Sequence, residues 1–323
     1  MITVNRPEPD PAVTDPREGT PMHILLTGGT GLIGRALCRH WLQQGHRLTV
    51  WSRTPGRVAD LCGEGVRGIG RLEDYADEPL DAVVNLAGAP IADRPWTSRR
   101  RQLLWASRIS LTEQLVAWLA TRAQRPQVLL SGSAVGWYGD GGERALDESQ
   151  PAPGSDFASL LCAAWENAAQ TAEALGLRVV LLRTGLVLAA EGGFLRRLLP
   201  PFWFGLGGPI GSGRQWMPWI HLLDQVALID FLLHDAGASG PYNACAPEPV
   251  RNRVFSQALG RVLRRPAFMP LPAVLLRLGL GELAELLLGG QRALPRRLLE
   301  AGFRFRFNAL DAALDDLLQR APQ

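Results

Sequence analysis

Residues 22–34 read Met22-His23-Ile24-Leu25-Leu26-Thr27-Gly28-Gly29-Thr30-Gly31-Leu32-Ile33-Gly34. An apolar run of strand length meets a glycine turn, and the turn runs straight into an amphipathic segment. That order predicts strand, tight turn, helix. Gly28 lets the chain reverse tightly. A side chain at Gly31 would collide with a bound pyrophosphate, and one at Gly34 would push the helix off the strand. The N–H groups at the new helix end then face the phosphates, and the helix dipole favours their charge. Gly28, Thr30, Gly31, Leu32, Ile33 and Gly34 are therefore cofactor-binding candidates.

The helical spacing of Leu32, Ile33, Ala36, Leu37, His40 and Trp41 lasts to Gly45, and Arg47–Trp51 reads as a second strand. A βαβ unit of this length expects a right-handed crossover and a parallel sheet. An NAD-specific site would carry Asp or Glu at the end of that second strand, to bond the ribose 2′-hydroxyl. Here the chain gives Ser52-Arg53-Thr54-Pro55-Gly56-Arg57. Carboxylates are absent and guanidinium groups, which pair well with a 2′-phosphate, are present. NADP(H) is the expected cofactor. Ser52, Arg53, Arg57 and Arg35 are its candidate contacts, against the plainer reading of each arginine as a solvated surface charge. The run Asp81–Gly88 is a further buried strand, and its small end at Leu86, Ala87 and Gly88 would let the cofactor lie across it.

Strands and helices keep alternating: a long helix at 98–121, a strand at 128–133 ending in hydroxyls, a helix at 157–175 and a strand at 178–183. The fold class is α/β, a doubly wound parallel sheet of the Rossmann type. The expected organisation is a disordered polar tail at 1–21 and a nucleotide-binding domain at 22–190. A strand near 242–246 is added to that domain later. A loop and a smaller helical substrate-side portion fill 191–323. The Gly-, Pro- and aromatic-rich stretch 194–213 reads as an irregular loop, either a binding lid or a packing loop.

The net charge is +3, with no dense basic stripe, so nucleic acid is not an expected partner. Arg99-Arg100-Arg101 is a short cluster that fits a solvated helix start. The apolar run 274–288 is interrupted by Arg277, Glu282 and Glu285, and no membrane span is expected. Cys38, Cys62, Cys162 and Cys245 lack metal-ligand spacing, so no metal is expected and a reducing, cytoplasmic setting fits. The partner expected is a small-molecule substrate; oligomeric state is not readable.

Several segments resemble the extended short-chain dehydrogenase/reductase superfamily and, more closely, its atypical YfcH-like epimerase-family group. They are Thr27–Gly34, Asn85–Gly88, Ser107–Thr112, Ser131–Gly139, Arg183–Leu188, Gly205–Gly213, Trp219–Asp224 and Gln291–Phe305. The resemblance implies an NADP-binding Rossmann domain with a helical C-terminal substrate domain. It also implies a Ser plus a Tyr-x-x-x-Lys pair, in which the lysine holds the nicotinamide ribose and lowers the phenol pKa. Ser133 matches the serine. The tyrosine position falls near Asp156-Phe157-Ala158 and the lysine position near Leu161 or Cys162, and the chain contains no lysine at all.

Ser133 and Tyr138 are the catalytic candidates. Ser133 would orient substrate, or would bond local backbone. Tyr138 would be a substitute acid, or a packing residue whose unassisted pKa near ~10 makes it a poor base. Glu166 would bond backbone or ribose, or sit in a salt pair. His221, Asp224 and Asn243 read as structural. Two functions remain: an NADP(H)-dependent oxidoreductase or nucleotide-sugar epimerase-like enzyme with a non-standard proton donor, and a catalytically silent NADP(H)-sensing regulator or scaffold.

Overall fold

The computed structural model describes residues 20–150 and 155–319. All but the end of the expected tail therefore lies outside the described residues. Seven strands form one sheet: β1 (His23–Thr27), β2 (Arg47–Trp51), β3 (Val66–Ile69), β4 (Ala82–Asn85), β5 (Val128–Ala134), β6 (Arg178–Thr184) and β7 (Gly240–Ala244). Their order across the sheet is β7-β6-β5-β4-β1-β2-β3, and every pairing is parallel. The strand order reverses between β1 and β4, which opens a crevice at the carboxyl ends where ligands of such sheets bind. The sheet is the doubly wound arrangement expected from the alternation.

Both faces are covered, which is why the strands are apolar throughout rather than alternating. In β1, Ile24 and Leu26 face one side and meet Leu37, Cys38 and Trp41 of α1 (Leu32–Gln43). Leu25 faces the other side, with Leu115 and Leu119 of α4 (Leu111–Thr121). A third core joins α6 (Gly193–Trp203), α8 (Asn252–Leu263) and α12 (Leu310–Gln319) around Trp219, Phe202, Phe255 and Leu314.

Two local expectations change. The helix at 98–121 is α3 (Ser98–Trp105) and α4 joined through a π turn at Ala106–Ser110. The first half of the stretch read as a loop, 194–203, is α6, with Pro200 and Pro201 inside it. Leu195, Leu199 and Phe202 recur at helical spacing and are all buried, and that stripe outweighs the backbone bonds the prolines forfeit. The chain turns irregular only from Phe204 onward.

Candidate functional site

The glycine turn has the geometry its sequence predicts. Gly28 has φ +71°, and a Cβ there would stand 2.7 Å from the Leu86 carbonyl. A Cβ on Gly34 would lie 2.4 Å from the Gly28 oxygen, so the helix could not rest against the turn. Gly31 differs: it is exposed, and a Cβ there would meet only the Gly28 oxygen, at 3.1 Å. Its lack of a side chain serves no internal packing. The first turn of α1 carries no side-chain cap and no acidic residue, so its orphan N–H groups and positive end stay open. These residues fit a bound pyrophosphate. Thr30, Leu32 and Ile33 are half-buried around the turn, and Leu32 reaches the chain at Gly192–Gly193.

Asn85 ties the strand ends together. Its Oδ1 accepts from Thr27 Oγ1 at 2.6 Å, and its Nδ2 donates to Thr112 and Ser131 at 2.8 and 3.2 Å. Thr27 Oγ1 accepts from the Ala87 N–H at 3.0 Å, which fixes the Leu86-Ala87-Gly88 backbone over the crevice. At the end of β2 the Ser52 hydroxyl accepts from the Thr54 N–H. Arg53 and Arg57 are exposed and Arg35 is half-buried. Among the described residues, none of the three guanidinium groups has a carboxylate partner.

The far side of the crevice is closed in on itself. Ser133, at the end of β5, donates to Glu166 Oε1 at 2.6 Å. Glu166 sits on α5 (Phe157–Gln170) and takes a two-pronged pair from Arg183 of β6, at 2.8 and 2.9 Å. Arg183 donates on to the Tyr138 hydroxyl at 3.2 Å and lies 3.4 Å from the centre of the Trp137 ring. Tyr138 donates to Asn243 Oδ1, 2.8 Å away. Burial would lower the Arg183 pKa, but the bonds from Glu166 more than offset it and the net shift is upward. Burial pushes the Tyr138 phenol up to about 12, with Arg183 only partly opposing it.

This arrangement defines the surroundings of the two catalytic candidates. Tyr138 is 1% exposed, and its hydroxyl is spent inside the protein rather than facing a substrate. The Ser133 hydroxyl hydrogen is committed to Glu166. The charged member that closes the network, Arg183, escaped notice because it follows the apolar run Val179–Leu182. Its only signal in the sequence was a charge in a strand that is otherwise buried.

Ala158 and Cys162 lie one turn apart on α5 and both face Gly136, whose added Cβ would stand 3.6 and 3.8 Å from them. They occupy the tyrosine–lysine spacing with a methyl and a thiol. Burial pushes that thiol up to about 12, so it is not a nucleophile. Beside them opens a pocket of about 120 Å³, lined by Trp96, Asp156 and Phe157 on one side and by Glu282 and Glu285 of the C-terminal helices on the other. Asp156 also caps α5, accepting from the Ser159 N–H at 2.9 Å. His221 and Asp224 lie away from the pocket: His221 stacks on Phe307 at 4.1 Å and Asp224 accepts from the Arg306 and Phe307 N–H groups.

Comparison with known proteins agrees with this geometry. Residues 24–245 match the model of the NAD dependent epimerase/dehydratase family, and residues 271–317 match a domain of unknown function, DUF1731. Epimerase family protein Mb2239 of Mycobacterium bovis is 42% identical over 293 residues, covering 90% of this chain and 96% of that protein. Epimerase family protein YfhF of Bacillus subtilis is 36% identical over 299 residues, covering 92% and 98%. The crystal structure of human epimerase family protein SDR39U1 (isoform 2) with NADPH is 35% identical, with a TM-score of 0.85, and covers 93% of this chain and 100% of that one. No helix among the described residues is long and apolar enough to cross a membrane. A parallel sheet with its glycine cradle, and a family match across most of its length, place this chain in the NAD dependent epimerase/dehydratase family.

Proposed function

We propose that this protein is an NADP(H)-dependent oxidoreductase acting on a small carbonyl or alcohol that carries no diphosphate. The observation that carries the cofactor choice is the end of β2, where Arg53 and Arg57 stand exposed with no carboxylate partner among the described residues. A 2′-phosphate supplies the missing anion, and the NADPH in the human relative supports that reading. Bound there, the cofactor would supply hydride transfer. The chain's own contribution is positional: Gly31 admits the pyrophosphate, Gly88 places no side chain over the strand end, and the Ser133–Glu166–Arg183 network ties β5, α5 and β6 together behind it.

The pocket favours a small substrate over a nucleotide sugar because its volume is only about 120 Å³. Of the carboxylates that line it, Glu282 pairs with Arg101 and Glu285 with Arg277, while Asp140 and Asp156 serve backbone N–H groups. With Tyr138 sealed, the proton comes from water in this pocket. The alternative, an NADP(H) sensor without turnover, draws support from Ala158, which puts a methyl where the resemblance implies a phenol, and from Cys162, a neutral thiol where it implies a lysine.

Fluorescence titration with NADPH and NADH tests the cofactor, with tighter NADPH binding expected; equal or tighter NADH binding overturns it. Nicotinamide absorbance followed against aldehydes, ketones, quinones and nucleotide sugars tests the reaction. Turnover with a small carbonyl supports the enzyme. Turnover with nucleotide sugars alone overturns the substrate class, and tight NADPH binding with no oxidation by any of them favours the sensor.

A further inference from the structure

Arg108 lies in the π turn that joins α3 and α4, and such turns recur at functional sites. The turn rotates its side chain to the carboxyl edge of the sheet. The guanidinium carbon would stand 3.0 Å from a Cβ on Gly88, so it faces the glycine that roofs the crevice. One nitrogen donates to the Ala89 carbonyl at 2.9 Å, and the other makes long contacts, 3.4 Å to the Leu104 carbonyl and 3.3 Å to Ser107. Trp165 of α5 sits 5.3 Å away.

What is missing is an anion. No carboxylate lies within ion-pair distance of Arg108 among the described residues; its electrostatic neighbours are the Cys162 thiol and another cation, Arg100. Burial lowers the Arg108 pKa, Cys162 partly opposes it and Arg100 adds to it. A half-buried positive charge satisfied only by carbonyls and hydroxyls is costly, and a neutral amide could serve the same acceptors. A full charge held there is explained by an anionic or multiply hydroxylated ligand that lies over Gly88.

We propose that Arg108 is a cofactor-binding residue whose guanidinium grips the dinucleotide beyond its adenosine half, at the nicotinamide-side phosphate and the ribose next to the nicotinamide. The proposal rests on the cofactor reading above. It gives the lysine-free chain a fixed cation on that side of the crevice, supplied by the helix after β4 rather than by α5. Together, Arg53 and Arg108 would hold the two ends of one ligand.

The test compares NADPH with adenosine 2′,5′-bisphosphate, which carries the adenosine with its 2′- and 5′-phosphates but neither the nicotinamide-side phosphate nor the second ribose. Arg108→Gln should weaken NADPH about 10- to 100-fold, the worth of one charge-assisted contact, and leave the bisphosphate within about twofold. Arg53→Gln should weaken both. Unchanged NADPH binding in Arg108→Gln, or an equal loss of both ligands, overturns the assignment of Arg108. Should Arg108→Gln not fold, Arg108→Lys is read in its place: a smaller loss confined to NADPH supports the proposal, and a parallel loss of both ligands overturns it. Failure of the unmodified protein to bind either ligand instead defeats the cofactor reading, so the two failures are distinct.

Discussion

The two banks of the crevice solve opposite problems. On the β1–β2 bank the functional groups are backbone N–H groups and arginines that nothing in the fold uses: α1 lacks a cap, and Arg53 and Arg57 lack carboxylates. On the β5–β6 bank every strong polar group is spent on another, from Ser133 through Glu166 and Arg183 to Tyr138 and Asn243. The first bank is poised for a ligand. The second is a rigid wall. The difference teaches that residue type alone does not locate chemistry: a serine and a tyrosine beside a nucleotide crevice can have their protons held by the fold itself.

The largest way to break this contrast is to open the wall. Glu166→Ala leaves Arg183 buried without its partner and should cost about 3–5 kcal/mol, seen as a drop of roughly 10 °C in the melting temperature. An unchanged melting temperature would show that the wall is not structural. Gly31→Val should do the reverse on the opposite bank. NADPH affinity should fall more than about 100-fold, near 3 kcal/mol, while the melting temperature of the ligand-free protein stays within a few degrees. Loss of the fold instead would mean that Gly31 is needed for packing.

A finer test is Arg53→Gln, which should cut NADPH affinity about tenfold and leave NADH nearly unchanged, narrowing the preference between them. Equal losses would remove the 2′-phosphate from the argument. Smallest is Tyr138→Phe, worth about 1–2 kcal/mol for the abandoned Asn243 acceptor. The sign with pH follows from the raised phenol pKa. The folded protein keeps Tyr138 neutral, so its contribution is full below pH ~10 and is lost as pH rises toward about 12. The ultraviolet difference titration between the two proteins should therefore show one phenol ionising near that upper limit; ionisation near ~10 would show that Tyr138 is accessible.

The glycine turn and its flanking strand and helix were legible because they are written in local spacing. Three glycines, a strand before them, a helix after them and two arginines at the next strand end all lie within about 35 residues, and each position has its own steric or charge reason. The wall was not legible, because Ser133, Glu166 and Arg183 come from three separate elements and meet only in the folded sheet. Glu166 carried the right alternative, a salt pair, but no periodicity could name its partner. Arg108 was hidden for a different reason: helical spacing alone cannot show that a π turn will rotate one residue toward the crevice. The short β3 went unnamed because only its two end residues are buried.

The last strand of the sheet has a consequence for how the chain is made. β7 pairs with β6 only after more than fifty intervening residues, which include α6 in the C-terminal core and the helix Leu222–His234 on the face of the sheet. A nascent chain leaving the ribosome as far as residue 190 would present β6 as a bare, apolar edge, the kind of template that recruits neighbouring chains. Fragments cut near that point should therefore cluster rather than stand alone, and the nucleotide half should not be separable by shortening the gene.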